Sequence, residues 1–142
     1  MLRPDITVLI PAYNEEAVIH RSLTPLADAA KSGRVQVIVI ANGCKYGTVD
    51  AARAACPHAE IVEMGKASKT LALNAGARRR RGRAVVCLDA DIELSESALV
   101  WLTRPVLRCK AEIACGQMVP DLDASSALVH AFYRGWQLNP YF

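Results

Sequence analysis

Ile6-Thr7-Val8-Leu9-Ile10, followed directly by Pro11-Ala12-Tyr13-Asn14-Glu15-Glu16, decides how the rest of this chain is read. The first five residues form a β-rich, largely apolar run of the kind expected of a buried strand, and Pro11 is expected to stop it. A helical pattern follows. Ala17, Val18, Leu23, Leu26 and Ala30 recur at roughly helical spacing from Glu15 to Lys31, with a bend expected at Pro25 and an end at Ser32-Gly33. Val35-Gln36-Val37-Ile38-Val39-Ile40 then repeats the buried-strand pattern, interrupted only by Gln36 and stopped by Asn42-Gly43.

The same alternation continues along the chain. Thr48 is expected to cap a short Ala-rich helix reaching Ala55, Cys56-Pro57 breaks it, and Ile61-Val62 centres a third strand. Leu71, Ala72, Ala75 and Ala77 predict a helix from Ser68 to about Arg80, and Ala84-Val85-Val86-Cys87-Leu88 reads as the fourth strand. Ser95 with Glu96 opens a further helix, bent at Pro105, and Ile113 to Val119 is expected to form a fifth strand. Parallel neighbours need crossover connections, so this order predicts a three-layer α/β/α fold with a mainly parallel sheet. No linker, repeat or low-complexity segment divides it, and residues 1–142 read as a single domain.

Composition narrows the function. With 142 residues, 52% hydrophobic and 22% charged, the chain can bury one core without disulfides or structural metal. Its most apolar stretch, residues 35–41, is far shorter than the roughly 20 residues a membrane span needs. Basic residues exceed acidic ones by 17 to 14, but five of them are Arg78, Arg79, Arg80, Arg81 and Arg83. Without those five, 12 basic residues face 14 acidic ones, so the basic balance is a local patch and predicts no nucleic-acid binding. At a helix C-terminus such charge is favourable and solvated; attraction to anionic lipid or acidic glycan is the other reading. The five cysteines form no CxxC pair, and residues 1–5 lack the apolar core of a secretory signal. Free thiols and a cytoplasmic protein, peripheral at most to the inner face of a membrane, are expected.

Three polar segments directly follow predicted strands: Pro11 to Glu15, Ala41 to Cys44, and Asp89-Ala90-Asp91. In a parallel sheet they share the carboxyl edge, where ligands of such folds sit. Asp89 and Asp91 in an extended i, i+2 relation would point to one side, and a hard divalent cation bridging phosphate oxygens would offset their repulsion. An ordinary turn with a helix-capping aspartate is the alternative. Asn14 is suited to capping the first helix, and Tyr13 to stacking on a planar base. Asn42-Gly43 is also a common turn dipeptide. Lys66 and Lys69 at a helix entrance oppose its dipole unless an anion lies nearby, and a diphosphate would be such an anion. There is no P-loop, GxGxxG, GxSxG or HExxH.

Together these segments resemble the N-terminal half of a GT-A glycosyltransferase of family 2. Four ordered motifs carry the likeness: Pro11 to Glu16, Ala41 to Cys44 with Gly47-Thr48, Ser68-Lys69-Thr70-Leu71-Ala72-Leu73-Asn74, and Asp89-Ala90-Asp91. The resemblance implies a Rossmann-like donor half that binds a nucleotide-sugar, most often a UDP-sugar, with Mg²⁺ or Mn²⁺. It implies that Pro11, Ala12, Tyr13 and Glu15 line the nucleoside pocket and that Asn42 sits where an acidic residue often contacts the base. Lys69 would lie near base or diphosphate, Asp89 near the ribose and sugar, and Asp91 would be the principal metal ligand. Family members of this type transfer the sugar with inversion, here to a glycan or lipid acceptor.

Asn42, Tyr46 and Ser68 depart from the commoner residues of these motifs. The family's base and acceptor segment normally lie well beyond the metal motif, and none of Glu93, Glu96, Glu112, Asp121 and Asp123 stands in the usual base motif. The chain therefore reads as truncated at its C-terminus, with the base outside it. A non-catalytic donor-binding or partner-interaction domain on the same half-fold is the alternative. Phe132, Tyr133, Trp136, Tyr141 and Phe142 crowd the last residues, and Leu128, Phe132 and Trp136 share one helical face. Packing on the sheet, contact with a missing half, self-association and contact with a membrane surface are the readings open for them.

Overall fold

A computed structural model describes residues 4–138. Four parallel strands, β1 (Ile6–Ala12), β2 (Val35–Asn42), β3 (Glu60–Met64) and β4 (Ala84–Cys87), lie in the order β3-β2-β1-β4. β1 pairs in register with β2 from Ile6↔Val35 to Ala12↔Ala41, and with β4 from Ile6↔Ala84 to Leu9↔Cys87. The predicted alternation of strands and helices is therefore present, in a mainly parallel α/β arrangement.

Six α-helices are described: α1 (Ile19–Leu23), α2 (Ala27–Lys31), α3 (Thr48–Ala55), α4 (Lys69–Ala77), α5 (Glu96–Leu107) and α6 (Ala127–Gln137). Pro25 divides the first helical region, where a 3-10 turn, Thr24–Leu26, separates α1 from α2. Ser68 and Ser95 cap α4 and α5, their hydroxyls accepting from Leu71 N and Ala98 N.

Strand order decides which face each helix covers. The connections β1 to β2 and β2 to β3 step in one direction, and Ile19, Leu23, Leu26, Ala29 and Ala52 on them join one core with Ile6, Val8, Ile10 and Val37. β3 to β4 steps back across the sheet, so a right-handed crossover must pass over the other face. There Ala72, Leu73 and Ala77 of α4 meet Leu9, Ile38 and Ile40. Fully buried Leu or Ile side chains of this kind each carry about 2–5 kcal/mol against truncation to Ala. The reversal of direction also makes the gap between β1 and β4 the point where ligand crevices form in such sheets.

Two expectations are corrected here. Pro11 does not end β1, which pairs as far as Ala12. Ala84 N donates to Asp5 O and Leu88 N to Leu9 O, so the odd-numbered residues of β1 turn their backbone toward β4. Pro11 thus lacks its N–H on the side where β4 pairing has already ended, at Cys87. Ile113 to Val119 forms no strand: residues 112–120 have no regular structure, and Ile113 is 86% exposed. β propensity without a neighbouring strand and a burying face does not make a strand.

Phe132, Tyr133 and Trp136 of α6 belong to neither of the two buried core clusters on the sheet. Leu128 is 80% exposed and Phe132 66%, and Phe132 and Tyr133 stack edge to face at 5.5 Å. Tyr141 and Phe142 lie outside the described residues. All five cysteines are free. Among the described residues no helix is long and apolar enough to cross a membrane.

Candidate functional site

The four sequence motifs stand on one edge of the sheet and are joined by hydrogen bonds in an unbroken series. The first and second are bound by several hydrogen bonds, Thr48 Oγ1 donating to Glu16 Oε2 (3.4 Å) among them. Cys44 Sγ donates to Ala12 O (3.3 Å), Lys45 N to Asn14 Oδ1 (2.9 Å), and Glu15 N to Thr48 Oγ1 (3.1 Å). The second reaches the third through Asn42, whose Oδ1 accepts from Ser68 N at 2.7 Å. Gly43 makes that approach possible: its φ is +72°, and a Cβ there would stand 2.8 Å from Ala67 N. The third reaches the fourth through Lys69 Nζ, which donates to Asp89 Oδ1 at 2.5 Å.

Local structure differs from expectation at three of these positions. Asn14 does not cap a helix. It adopts φ 54°, a region Asn tolerates, and its side chain crosses to the second motif, while α1 begins only at Ile19. Thr48 is not the cap of α3 either, because Gly47 occupies that position, and the buried Thr48 hydroxyl serves Glu15 N and Glu16. Asp89-Ala90-Asp91 is a turn rather than extended chain, closed by Ile92 N donating to Asp89 O at 3.2 Å. Ala90 is buried in the core and draws the backbone round, so the same-side argument for extended chain does not apply to the two carboxylates.

Of the residues picked from sequence, Ala12 and Asn42 are buried, Pro11 and Glu15 are half-buried, and Tyr13 is 48% exposed at the end of β1. Asn42 spends its oxygen on the entrance to α4. Lys69 and Asp89 are 62% and 51% exposed, so their pair is solvent-facing. The anion expected beside the α4 N-terminus is thus already supplied in part by Asp89. Asp91 is exposed and has no ion pair or hydrogen bond among the described residues. The sequence offered no sign of the bridging roles of Cys44 and Thr48. Asn14, a residue type enriched in left-handed backbone, was the one readable hint.

Two carboxylates in a turn, one of them unpaired, suit a hard ion that keeps several waters and takes its remaining oxygens from phosphate. They do not suit an all-protein cage, and no group of three or more His, Cys, Asp or Glu able to hold a metal occurs among the described residues. An open surface cleft lies elsewhere, at the opposite end of the strands. The edge described here is an open rim shaped by strand ends.

The family model of glycosyltransferase-like family 2 matches residues 4–138. No curated protein matches the chain at a significant level. Among solved structures, glucosyl-3-phosphoglycerate synthase from Mycobacterium tuberculosis, in complex with Mn²⁺, UDP and phosphoglyceric acid, is 31% identical with a TM-score of 0.58; the match covers 74% of this chain and 39% of that one. The same enzyme with Mg²⁺ and UDP gives 29% identity and a TM-score of 0.61 over 74% and 40%. S. aureus TarS, at 18% identity and a TM-score of 0.62 over 82% and 38%, shares the fold. The chain thus spans about two fifths of the length of the structures it matches.

Proposed function

We propose, from the premise that the chain belongs to glycosyltransferase-like family 2, that it is the donor-binding part of an inverting enzyme using a UDP-sugar and a divalent metal. The acceptor is a hydroxyl on a glycan or lipid. One observation carries this reading: four motifs far apart in sequence are hydrogen-bonded into a single rim at the β1–β4 reversal point. A rim so assembled holds an aromatic ring, a lysine at a helix N-terminus and two carboxylates, groups suited to a base, a diphosphate and its metal.

In this reading Pro11, Ala12, Tyr13 and Glu15 line the nucleoside pocket, with the half-exposed Tyr13 ring stacking on the base. Asn42 shapes the pocket by fixing the entrance to α4. Lys69 exchanges its bond to Asp89 for one to the diphosphate, where a cation beside a helix N-terminus is favourable. Asp91, with Asp89, would hold Mg²⁺ or Mn²⁺, as the crystallised relatives with Mn²⁺ or Mg²⁺ and UDP suggest. When bound, that ion supplies charge to stabilise the departing nucleoside diphosphate. Inversion requires a carboxylate base at the acceptor. Glu96 has both oxygens engaged by Arg34, and Asp121 faces Arg21, so neither is assigned that role.

Calorimetry of UDP with and without Mn²⁺ tests the proposal. Metal-dependent binding is expected, weakened at least about tenfold by Asp91→Ala through loss of a charged ligand. UDP binding that ignores this substitution would remove the metal assignment, and no binding at all would favour a partner-interaction domain on the same fold.

A further inference from the structure

At the opposite end of the strands the turn from α4 into β4 carries Arg78, Arg79, Arg80, Arg81 and Arg83. Nearby carboxylates neutralise only part of this charge. Arg79 pairs with Glu60 at 3.0 Å and Arg83 with Asp5 at 3.2 Å, and Arg80 donates to Ala77 O. The Arg78 and Arg81 side chains make no ion pair or hydrogen bond among the described residues. Arg78, Arg80, Arg81 and Arg83 line a single open cleft of about 540 Å³.

A merely solvated patch needs no fixed backbone, yet this turn is anchored from inside the sheet. Thr7 and Gln36 are buried polar residues in otherwise largely apolar strands, and Thr7 Oγ1 donates to Gln36 Oε1 at 2.8 Å. Gln36 Oε1 also accepts from Arg81 N (2.7 Å), Thr7 Oγ1 accepts from Gly82 N (2.9 Å), and Gln36 Nε2 donates to Arg79 O (3.0 Å). Gly82 lies against β1 so closely that a Cβ would stand 2.5 Å from Ile6 C. The backbone that carries the arginines is therefore pinned, and guanidinium groups suit phosphate through paired N–H donors.

We infer that this cleft is a second anion site, for a ligand bearing clustered phosphate groups, separate from the donor rim. β1 spans the distance between the two with seven residues, roughly 20 Å at strand rise. The phosphates come either from a soluble oligophosphate or from a lipid headgroup, and two probes separate these. The 142-residue chain is titrated with tripolyphosphate, and sedimented with phosphatidylcholine vesicles containing roughly one third phosphatidylserine. Arg78→Gln/Arg81→Gln removes the two cations whose side chains make neither an ion pair nor a hydrogen bond among the described residues, while Arg79→Gln removes one that faces Glu60 outside the cleft.

Saturable tripolyphosphate binding, weakened about tenfold or more by the double variant and less than about twofold by Arg79→Gln, is the expected result. The same variant pattern with vesicles, without tripolyphosphate binding, also supports the site and assigns its phosphate to lipid. No saturable binding to either probe, or a loss that scales only with the number of charges removed, overturns the inference.

Discussion

Replacing Lys69 by Gln separates two affinities that a simple binding residue would move together. Lys69 and Asp89 are both more than half exposed, so their pair contributes no more than about 1 kcal/mol. Loss of the pair is offset by removing a cation from the first turn of α4, so folding stability is expected to change by less than about 0.5 kcal/mol. The effects on ligands have opposite signs. Without nucleotide, Asp89 no longer has Lys69 as a competitor for Mn²⁺, and metal affinity rises by up to about fivefold, the equivalent of that 1 kcal/mol. With Mn²⁺ saturating, UDP loses a charge-assisted hydrogen bond of about 1.5–3 kcal/mol and binds roughly 10- to 150-fold more weakly. Free Mn²⁺ is followed by electron paramagnetic resonance and UDP by calorimetry. If both affinities fall, or if UDP affinity stays unchanged, Lys69 does not pass from Asp89 to the diphosphate.

Two further outcomes test the scaffold. Gly82→Ala would drive a Cβ to within 2.5–2.9 Å of backbone atoms of β1, and is expected to destabilise by about 1–3 kcal/mol in urea unfolding. Gly47→Ala, with open space and a φ of −62°, is expected to change little, and equal effects would refute the close approach. Burial pushes the Cys56 thiol above its ordinary value of 9.0, so the folded state favours the neutral form. That stability is complete below about pH 9 and is lost as pH rises further through the folded value; Cys56→Ala should flatten the fall in urea midpoint above pH 9.

The strands and most helices were legible because burial on both faces writes a continuous apolar run, and parallel order sends every strand's carboxyl end to one edge. That is why the order of the elements already puts Pro11, Asn42 and Asp89 at one edge. What could not be read depended on partners distant in sequence. Gln36 appears in the sequence only as an interruption of an apolar run, yet its partners are Thr7, Arg79 and Arg81. Asn14 and Thr48 have the composition of caps but are engaged by other segments. Ile113 to Val119 has the composition of a strand and no neighbour to pair with. Ala90, too small to signal its burial, turns the carboxylate pair out of extended chain.

The unequal reach of β1 and β4 has a consequence for how this rim can change over generations. β1 continues three residues beyond its last pairing with β4, leaving a step in the sheet roughly 10 Å long, with Pro11 on it and the aspartate turn beside it. The step is made by lengths of backbone, which no exchange of one side chain for another alters. Point substitutions at Tyr13 or Lys69 therefore change the side chains around the recess while the recess itself persists. Closing it would take an insertion that extends β4 beyond Cys87.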